Sequence, residues 1–166
     1  MDVGCGTGLP TARQLLDAGL AVTGIDISEV MLELARRNVP DADLRRLDLT
    51  QIGQDLGRFD AVAAFFSLLM LPRAEIPAVL ERLRDVLVPG GLLVVGMVEA
   101  DVDDVPIDFL GTPVRVTGYP RDELAWVVES TGFEVLRATD LSYAPVSTQV
   151  PPEVQLFLCC RRAAAT

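Results

Sequence analysis
The chain alternates short apolar runs with amphipathic segments, and the alternation is regular enough to read as elements. Residues 1–4 end a strand, and 9–18 follow as a helix with Pro10 in its first turn and Gly19 just past its end. A second strand covers 20–26, and Ser28 caps a helix reaching Asn38. Residues 43–47 form a short third strand, and 51–57 a weak helical turn. Residues 59–67 are almost wholly apolar, as a strand covered on both faces should be. From 72 to 87, Ile76, Val79, Leu80, Leu83 and Leu87 recur at helical spacing. Pro89-Gly90-Gly91 ends that helix, and a fifth strand runs over 92–98.

The rhythm then changes. Residues 99–118 are polar and acidic, with two prolines, and read as an insertion over the sheet edge. A last helix covers 121–130. Two strands, 132–143 and 153–161, flank a linker at 144–152 that contains three prolines. With no helix between them, these strands pair antiparallel. The expected fold class is α/β: a Rossmann-like, doubly wound sheet, mostly parallel, with an antiparallel C-terminal strand. One domain spans 1–166.

Composition narrows the chemistry. Half of the 166 residues are hydrophobic, which excludes disorder. The longest apolar run, 61–71, is broken by Ser67 and stopped by Pro72, too short to span a membrane. With 24 acidic and 14 basic residues the net charge is −10, which repels nucleic acid and anionic membranes alike. Cys5, Cys159 and Cys160 make no disulfide framework. Adjacent Cys159 and Cys160 point to opposite strand faces, so the thiols read as small buried hydrophobes in a reducing cytoplasm. No metal site is expected: Glu99, Asp101, Asp103, Asp104 and Asp108 lack chelating spacing and read as a solvated loop.

The chemistry concentrates in the turn after the first strand, Asp2-Val3-Gly4-Cys5-Gly6-Thr7-Gly8. Glycines on alternate positions let a ligand approach the backbone at the strand end where open α/β sheets bind. Asp26 ends the second strand, suited to accept hydrogen bonds from both hydroxyls of a ribose. At a strand end it should serve the ligand and matter little to the fold. A nicotinamide site shares this much, but its G-x-G-x-x-G pattern would place the third glycine at Leu9, not Gly8.

The chain resembles the class I S-adenosylmethionine-dependent methyltransferases over essentially its whole length. DVGCGTG is similar to their first motif, and GIDIS with Met31 to the second strand and adenosine-binding helix. Leu47-Asp48-Leu49 resembles the loop after strand three. FDAVAAFFSLLMLP and the helix ending in VPGG resemble the region of strands four and five, and LFLCCRR the reversed last strand.

The resemblance implies S-adenosylmethionine as cofactor and S-adenosylhomocysteine as product. It implies that Gly4, Cys5, Gly6, Thr7 and Gly8 wrap the methionyl part and that Asp2 lies at its amino end. It further implies Asp26 on the ribose, Ile27 and Met31 on adenine, and Asp48 with the main chain of Leu49 at the exocyclic amine. Phe65 and Ser67 would lie near the sulfonium. For Ile27, Met31 and Phe65 the alternative is core packing; for Asp26 and Asp48 it is an exposed loop carboxylate.

The activity implied is methyl transfer to a small, natural-product-like acceptor. The alternatives are a non-catalytic or truncated S-adenosylmethionine-binding module and, less consistent with the Gly8 register, a nicotinamide oxidoreductase. The sequence contains no histidine, so no catalytic residue is assigned. It leaves the acceptor and the oligomeric state open. The family carries several tens of residues ahead of its first motif, forming helices that cover cofactor and substrate. Only Met1 precedes Asp2 here, so a domain lacking those helices, weak in binding and slow in turnover, is expected.

Overall fold
The computed structural model describes residues 1–109, 111–143 and 153–164. Its main sheet has the order β3-β2-β1-β4-β5-β9-β8. The parallel part comprises β1 (Asp2–Val3), β2 (Thr23–Asp26), β3 (Asp43–Arg46), β4 (Phe59–Phe65) and β5 (Leu87–Val98). β8 (Phe133–Tyr143) and β9 (Glu153–Arg162) pair antiparallel, and β9 runs antiparallel to β5. The expected fold class is thus the observed one. The linker at 144–152 lies outside the described residues.

Four helices connect these strands: α1 (Thr11–Asp17), α2 (Glu29–Asn38), α3 (Ile76–Val86) and α4 (Arg121–Ser130). Ser28 caps α2 as expected, its Oγ accepting from the Met31 N–H at 3.4 Å. Several boundaries move for local reasons. β1 stops at Val3 because the Gly4 and Cys5 N–H groups both turn to the Ile25 carbonyl. β2 starts late because the Leu20 N–H closes the end of α1 on the Leu15 carbonyl. Pro10 precedes α1 as its capping residue instead of lying in the first turn.

Two expectations need larger correction. Pro89-Gly90-Gly91 does not end the helix; α3 stops at Val86, and the three residues bulge inside a longer β5. Phe59 faces Leu87 while Ala61 faces Leu92, so the bulge absorbs the extra residues, with Gly90 at φ 75°. Residues 99–118, expected only as a polar insertion, contain regular structure: β6 (Val102–Phe109) and β7 (Thr112–Gly118) form an antiparallel hairpin. The weak turn at 51–57 resolves into two 3₁₀ turns, Leu49–Gln51 and Gln54–Leu56.

The main core lies on one face of the sheet. Val62, Ala64, Leu93, Val95, Leu156 and Leu158 point there and pack against Ile76, Leu80 and Leu83 of α3 and Leu124 and Val128 of α4. A smaller cluster, Ala12, Val22, Ala35 and Val39, sits under α1 and α2. On the opposite face, β4 and β5 are not covered as expected. Ala61 is exposed, Val94 half-buried and Leu92 38% exposed. A groove of about 490 Å³ runs there between this sheet face and Leu15, Leu20 and Val22.

Candidate functional site
The turn from β1 into α1 is built by three glycines with positive φ, 72° at Gly4, 53° at Gly6 and 76° at Gly8. Their surroundings differ. A Cβ at Gly4 would meet Ser67 Cβ at 2.5 Å, and one at Gly8 would meet Val39 Cγ2 at 2.5 Å. Gly4 and Gly8 are therefore fixed by packing. A Cβ at Gly6 would meet nothing within 4 Å, so this glycine leaves open space over the backbone.

Asp26 holds the crest of that turn. Its Oδ2 accepts from the Gly6 N–H at 2.9 Å and its Oδ1 from the Ser28 N–H at 2.8 Å. Each carboxylate oxygen accepts two bonds, so capacity for further donors remains. The Thr7 carbonyl accepts from Asn38 Nδ2 at 2.9 Å, tying the turn to α2.

Under the turn lies Asp2, 3% exposed, with Oδ2 lacking any hydrogen-bond partner. Burial is the main cause that lifts its carboxyl to about 6, against the pull of the chain's amino terminus. Among the described residues, the other buried side-chain oxygen left without a partner is Ser67 Oγ. Cys5 is also buried, and burial, with the Asp2 and Asp26 charges adding, pushes its thiol up to about 12. It is a packing group, not a nucleophile.

A cavity of about 410 Å³ opens here. Of the expected residues it is lined by Asp2, Gly4, Cys5, Gly6 and Phe65. It also takes in Leu9, Pro10, Thr11 and Gln14 at the start of α1, and the rings of Phe66 and Phe157. Those six were not anticipated. Thr11 and Gln14 share a helix face one turn apart, a spacing visible in sequence once the glycine turn is placed before α1. Phe157 depends on the β5–β9 register, which sets it beside Gly96 and so near Phe65.

The remaining expected residues lie outside the cavity lining. Gly8 and Thr7 shape the turn, and Asp26 is one hydrogen bond from Gly6. Ile27 and Met31 are 62% and 41% exposed, which excludes core packing for both. Asp48 is not a free loop carboxylate, since its Oδ1 accepts from the N–H and the hydroxyl of Thr50, each at 2.8 Å. Its loop is docked to β2 by the bond from the Leu47 N–H to the Asp26 carbonyl at 3.0 Å. Leu49 packs partly buried against the main core.

No helix among the described residues is long and apolar enough to cross a membrane. Nor does any group of three or more acidic or cysteine side chains among them converge as a metal site.

A glycine turn strapped by a strand-end carboxylate, at the carboxyl end of a sheet with a reversed last strand, defines a class of protein. The family described as "Methyltransferase domain" matches residues 1–91, and the chain belongs to that family, with the class I S-adenosylmethionine-dependent methyltransferase fold. The chain is 41% identical over 98 residues to the dTDP-3-amino-3,6-dideoxy-α-D-glucopyranose N,N-dimethyltransferase of Streptomyces fradiae, covering 57% of this chain and 37% of that protein. It is 31% identical over 158 residues to the dTDP-3-amino-3,4,6-trideoxy-α-D-glucopyranose N,N-dimethyltransferase of Streptomyces venezuelae, covering 85% and 65%. The chain thus spans less than two thirds of either relative. Among solved structures, a SAM-dependent methyltransferase from Methanosarcina mazei superposes with a TM-score of 0.83 at 16% identity, over 99% of this chain and 92% of that one; it speaks for the fold.

Proposed function
We propose that the chain binds S-adenosylmethionine at the glycine turn and transfers its methyl group to a small, natural-product-like acceptor, releasing S-adenosylhomocysteine. The observation that carries the reading is the buried Asp2 oxygen without a partner, beside an open Gly6 and within reach of the Asp26 strap. An isolated buried carboxylate oxygen is costly, and a ligand ammonium is the group that satisfies it. The residues fit the cofactor in pieces. Asp2 faces the amino end, and Gly4, Cys5, Gly6, Thr7 and Gly8 form the cradle. Asp26 accepts the ribose hydroxyls on its remaining lone pairs. The uncovered Ile27 and Met31 pack on adenine, the free oxygen of Asp48 and the Leu49 main chain meet its edge, and Phe65 lies toward the sulfonium. When bound, the cofactor supplies a methyl group on a positively charged sulfur. What is asked of the protein is to hold an acceptor in line and exclude water. The sequence has no histidine, so a base, where the acceptor needs one, is a carboxylate, a tyrosine or the acceptor itself.

The two N,N-dimethyltransferases among the relatives favour an amine on a sugar nucleotide as the first acceptor to try. The charge of −10 and the free thiols support a cytoplasmic protein without nucleic-acid or membrane partners. A second reading, a binding module that turns over poorly on its own, is favoured by the open sheet face next to Thr11, Gln14 and Phe65. A covering segment outside residues 1–166 would close that face.

Thermal shift with S-adenosylhomocysteine, NAD and NADP tests the cofactor. A native-state ligand at 100 times its Kd stabilises by about 2.7 kcal/mol. A shift with NAD and none with S-adenosylhomocysteine refutes the reading. Mass spectrometry of amine acceptors incubated with S-adenosylmethionine then separates enzyme from binding module.

A further inference from the structure
Three phenylalanines stand together in the lining of the cavity. Strand alternation turns Phe65 and Phe157 to the sheet face opposite the main core, where Leu156 and Leu158 point. Both flank Gly96, which Phe65 faces across one ladder and Phe157 across the other. A Cβ at 96 would lie 2.8 Å from Phe65 Cδ1 and 3.3 Å from Phe157 Cε1, so the glycine is the seat on which both rings rest. The Phe157 ring meets Phe65 edge-on at 6.0 Å and Phe66 at 5.9 Å.

Phe66 is held against its preference. It takes φ 57°, a left-handed conformation that bulky residues avoid, and its N–H is fixed on the Gly96 carbonyl at 2.9 Å. Strain of this kind persists where surrounding contacts enforce it, and it gathers at ligand sites. Here it brings a third ring to the cavity instead of sending the chain onward along the strand. All three rings are half-buried and line the same cavity as Asp2 and Gly6. Asp2 is the one charged side chain in that lining among the described residues.

We infer that Phe65, Phe66 and Phe157 form an aromatic wall that recognises the positive charge of the methyl donor, giving the sulfonium an increment of affinity that the spent thioether does not receive. The inference rests on the cofactor reading above. In S-adenosylmethionine the sulfur joins the ribose to the aminobutyrate. The proposed ammonium partner Asp2 lines this cavity, and the proposed ribose partner Asp26 is bonded to Gly6, which lines it too, so the linking sulfur belongs in the cavity beside its three aromatic rings. A cation beside aromatic rings is stabilised by their quadrupoles, most strongly where water is excluded. A neutral thioether in the same place gains only ordinary packing.

The test is isothermal titration of residues 1–166 with S-adenosylmethionine, S-adenosylhomocysteine and sinefungin, which carries an amine in place of the methylated sulfur. Phe66→Leu and Phe157→Leu keep apolar bulk but remove the quadrupole. Each should weaken the two cationic ligands about fivefold relative to S-adenosylhomocysteine. Phe66→Tyr should restore the parent ratio. Fluorinated phenylalanine at 66 weakens the quadrupole at nearly constant shape and should lower the ratio in graded steps, even if a leucine variant folds poorly. Equal losses for charged and neutral ligands, or no change in the ratio, overturn the proposal and leave the cofactor reading standing. Binding of none of the three ligands to the parent protein refutes the cofactor reading, and the aromatic wall with it.

Discussion

Replacing Asp26 with asparagine separates the strap that this side chain forms from the ribose contact proposed for it. In the ligand-free protein its carboxylate accepts the Gly6 N–H at 2.9 Å and the Ser28 N–H at 2.8 Å. An amide retains one acceptor oxygen and turns an NH₂ group toward the other donor. One charge-assisted bond is lost and the second weakened, each worth about 1.5–3 kcal/mol when charged. The residue is partly exposed, so the lower end applies, and a loss of about 1.5–2 kcal/mol in apo stability is expected. For a chain of this size that is a fall of about 3–8 °C in Tm. With these two bonds Asp26 is expected to matter to the fold more than its strand-end position suggests. Cofactor affinity should fall by a further 1.5–3 kcal/mol or so, as the ribose hydroxyls lose a charged acceptor. Calorimetric melting without ligand and titration with S-adenosylhomocysteine measure the two effects separately. An unchanged apo Tm would falsify the strap; an unchanged Kd at lowered Tm would show that the ribose is held elsewhere.

Gly6→Ala and Gly8→Ala should differ in kind: the first has room for its Cβ and should chiefly weaken S-adenosylhomocysteine binding, whereas the second drives a methyl into Val39 and should chiefly lower Tm. The reverse ordering in a melt and titration of both variants would contradict the geometry. For Asp2, burial holds the folded-state pKa at about 6 against an ordinary value of 3.8, so the folded chain favours the neutral acid. That contribution to apo stability is complete below pH 3.8 and is lost as pH rises through about 6, a change on the order of 2–3 kcal/mol that Asp2→Asn should abolish in melts at stepped pH. Affinity for a ligand ammonium should run the opposite way, rising through the same range and becoming flat in Asp2→Asn. Finally, a chain extended upstream of Met1 is expected to bind S-adenosylhomocysteine more tightly and transfer methyl groups faster than residues 1–166, and to protect Ala61, Leu92 and Val94 from solvent. Equal affinity and rate for the two chains would rule out a covering role.

Much of the fold was legible because parallel α/β sheets impose periodicity on sequence. The run at 59–65 is apolar whichever face is covered, and α3 announces itself by Ile76, Val79, Leu80 and Leu83, all buried. Errors arose where one residue type serves two conformations. Proline and glycine at 89–91 end helices and also form bulges, and only the pairing of Phe59 with Leu87 and Ala61 with Leu92 decides between them. The acidic residues of β6 hid a strand because aspartates at 103, 104 and 108 interrupt its apolar positions. Val105 and Ile107, facing Val116 and Val114, carry the pattern that makes the hairpin. The apolar run of β4 also concealed an uncovered face, since hydrophobicity reports what a residue tolerates and not what lies against it.

The candidate site divides along the same physical line. Its local half follows from sequence: alternate glycines force a turn, Asp26 ends a strand beside it, and Ser28 opens a helix, all within a short stretch of chain. Its non-local half does not. Phe157 is separated from Phe65 by most of the sheet-forming sequence, and only the antiparallel register of β9 on β5 sets both beside Gly96. The orphaned oxygen of Asp2 is likewise invisible in sequence, because whether a carboxylate is satisfied depends on every neighbour that folding brings near it. The local half supplies shape and the strand-end carboxylate proposed as the ribose partner. The non-local half supplies an unsatisfied negative charge on one side of the cavity and aromatic rings on the other. A ligand that carries an ammonium and a sulfonium a few bonds apart offers a cation to each; the nicotinamide end of a dinucleotide brings no ammonium to Asp2.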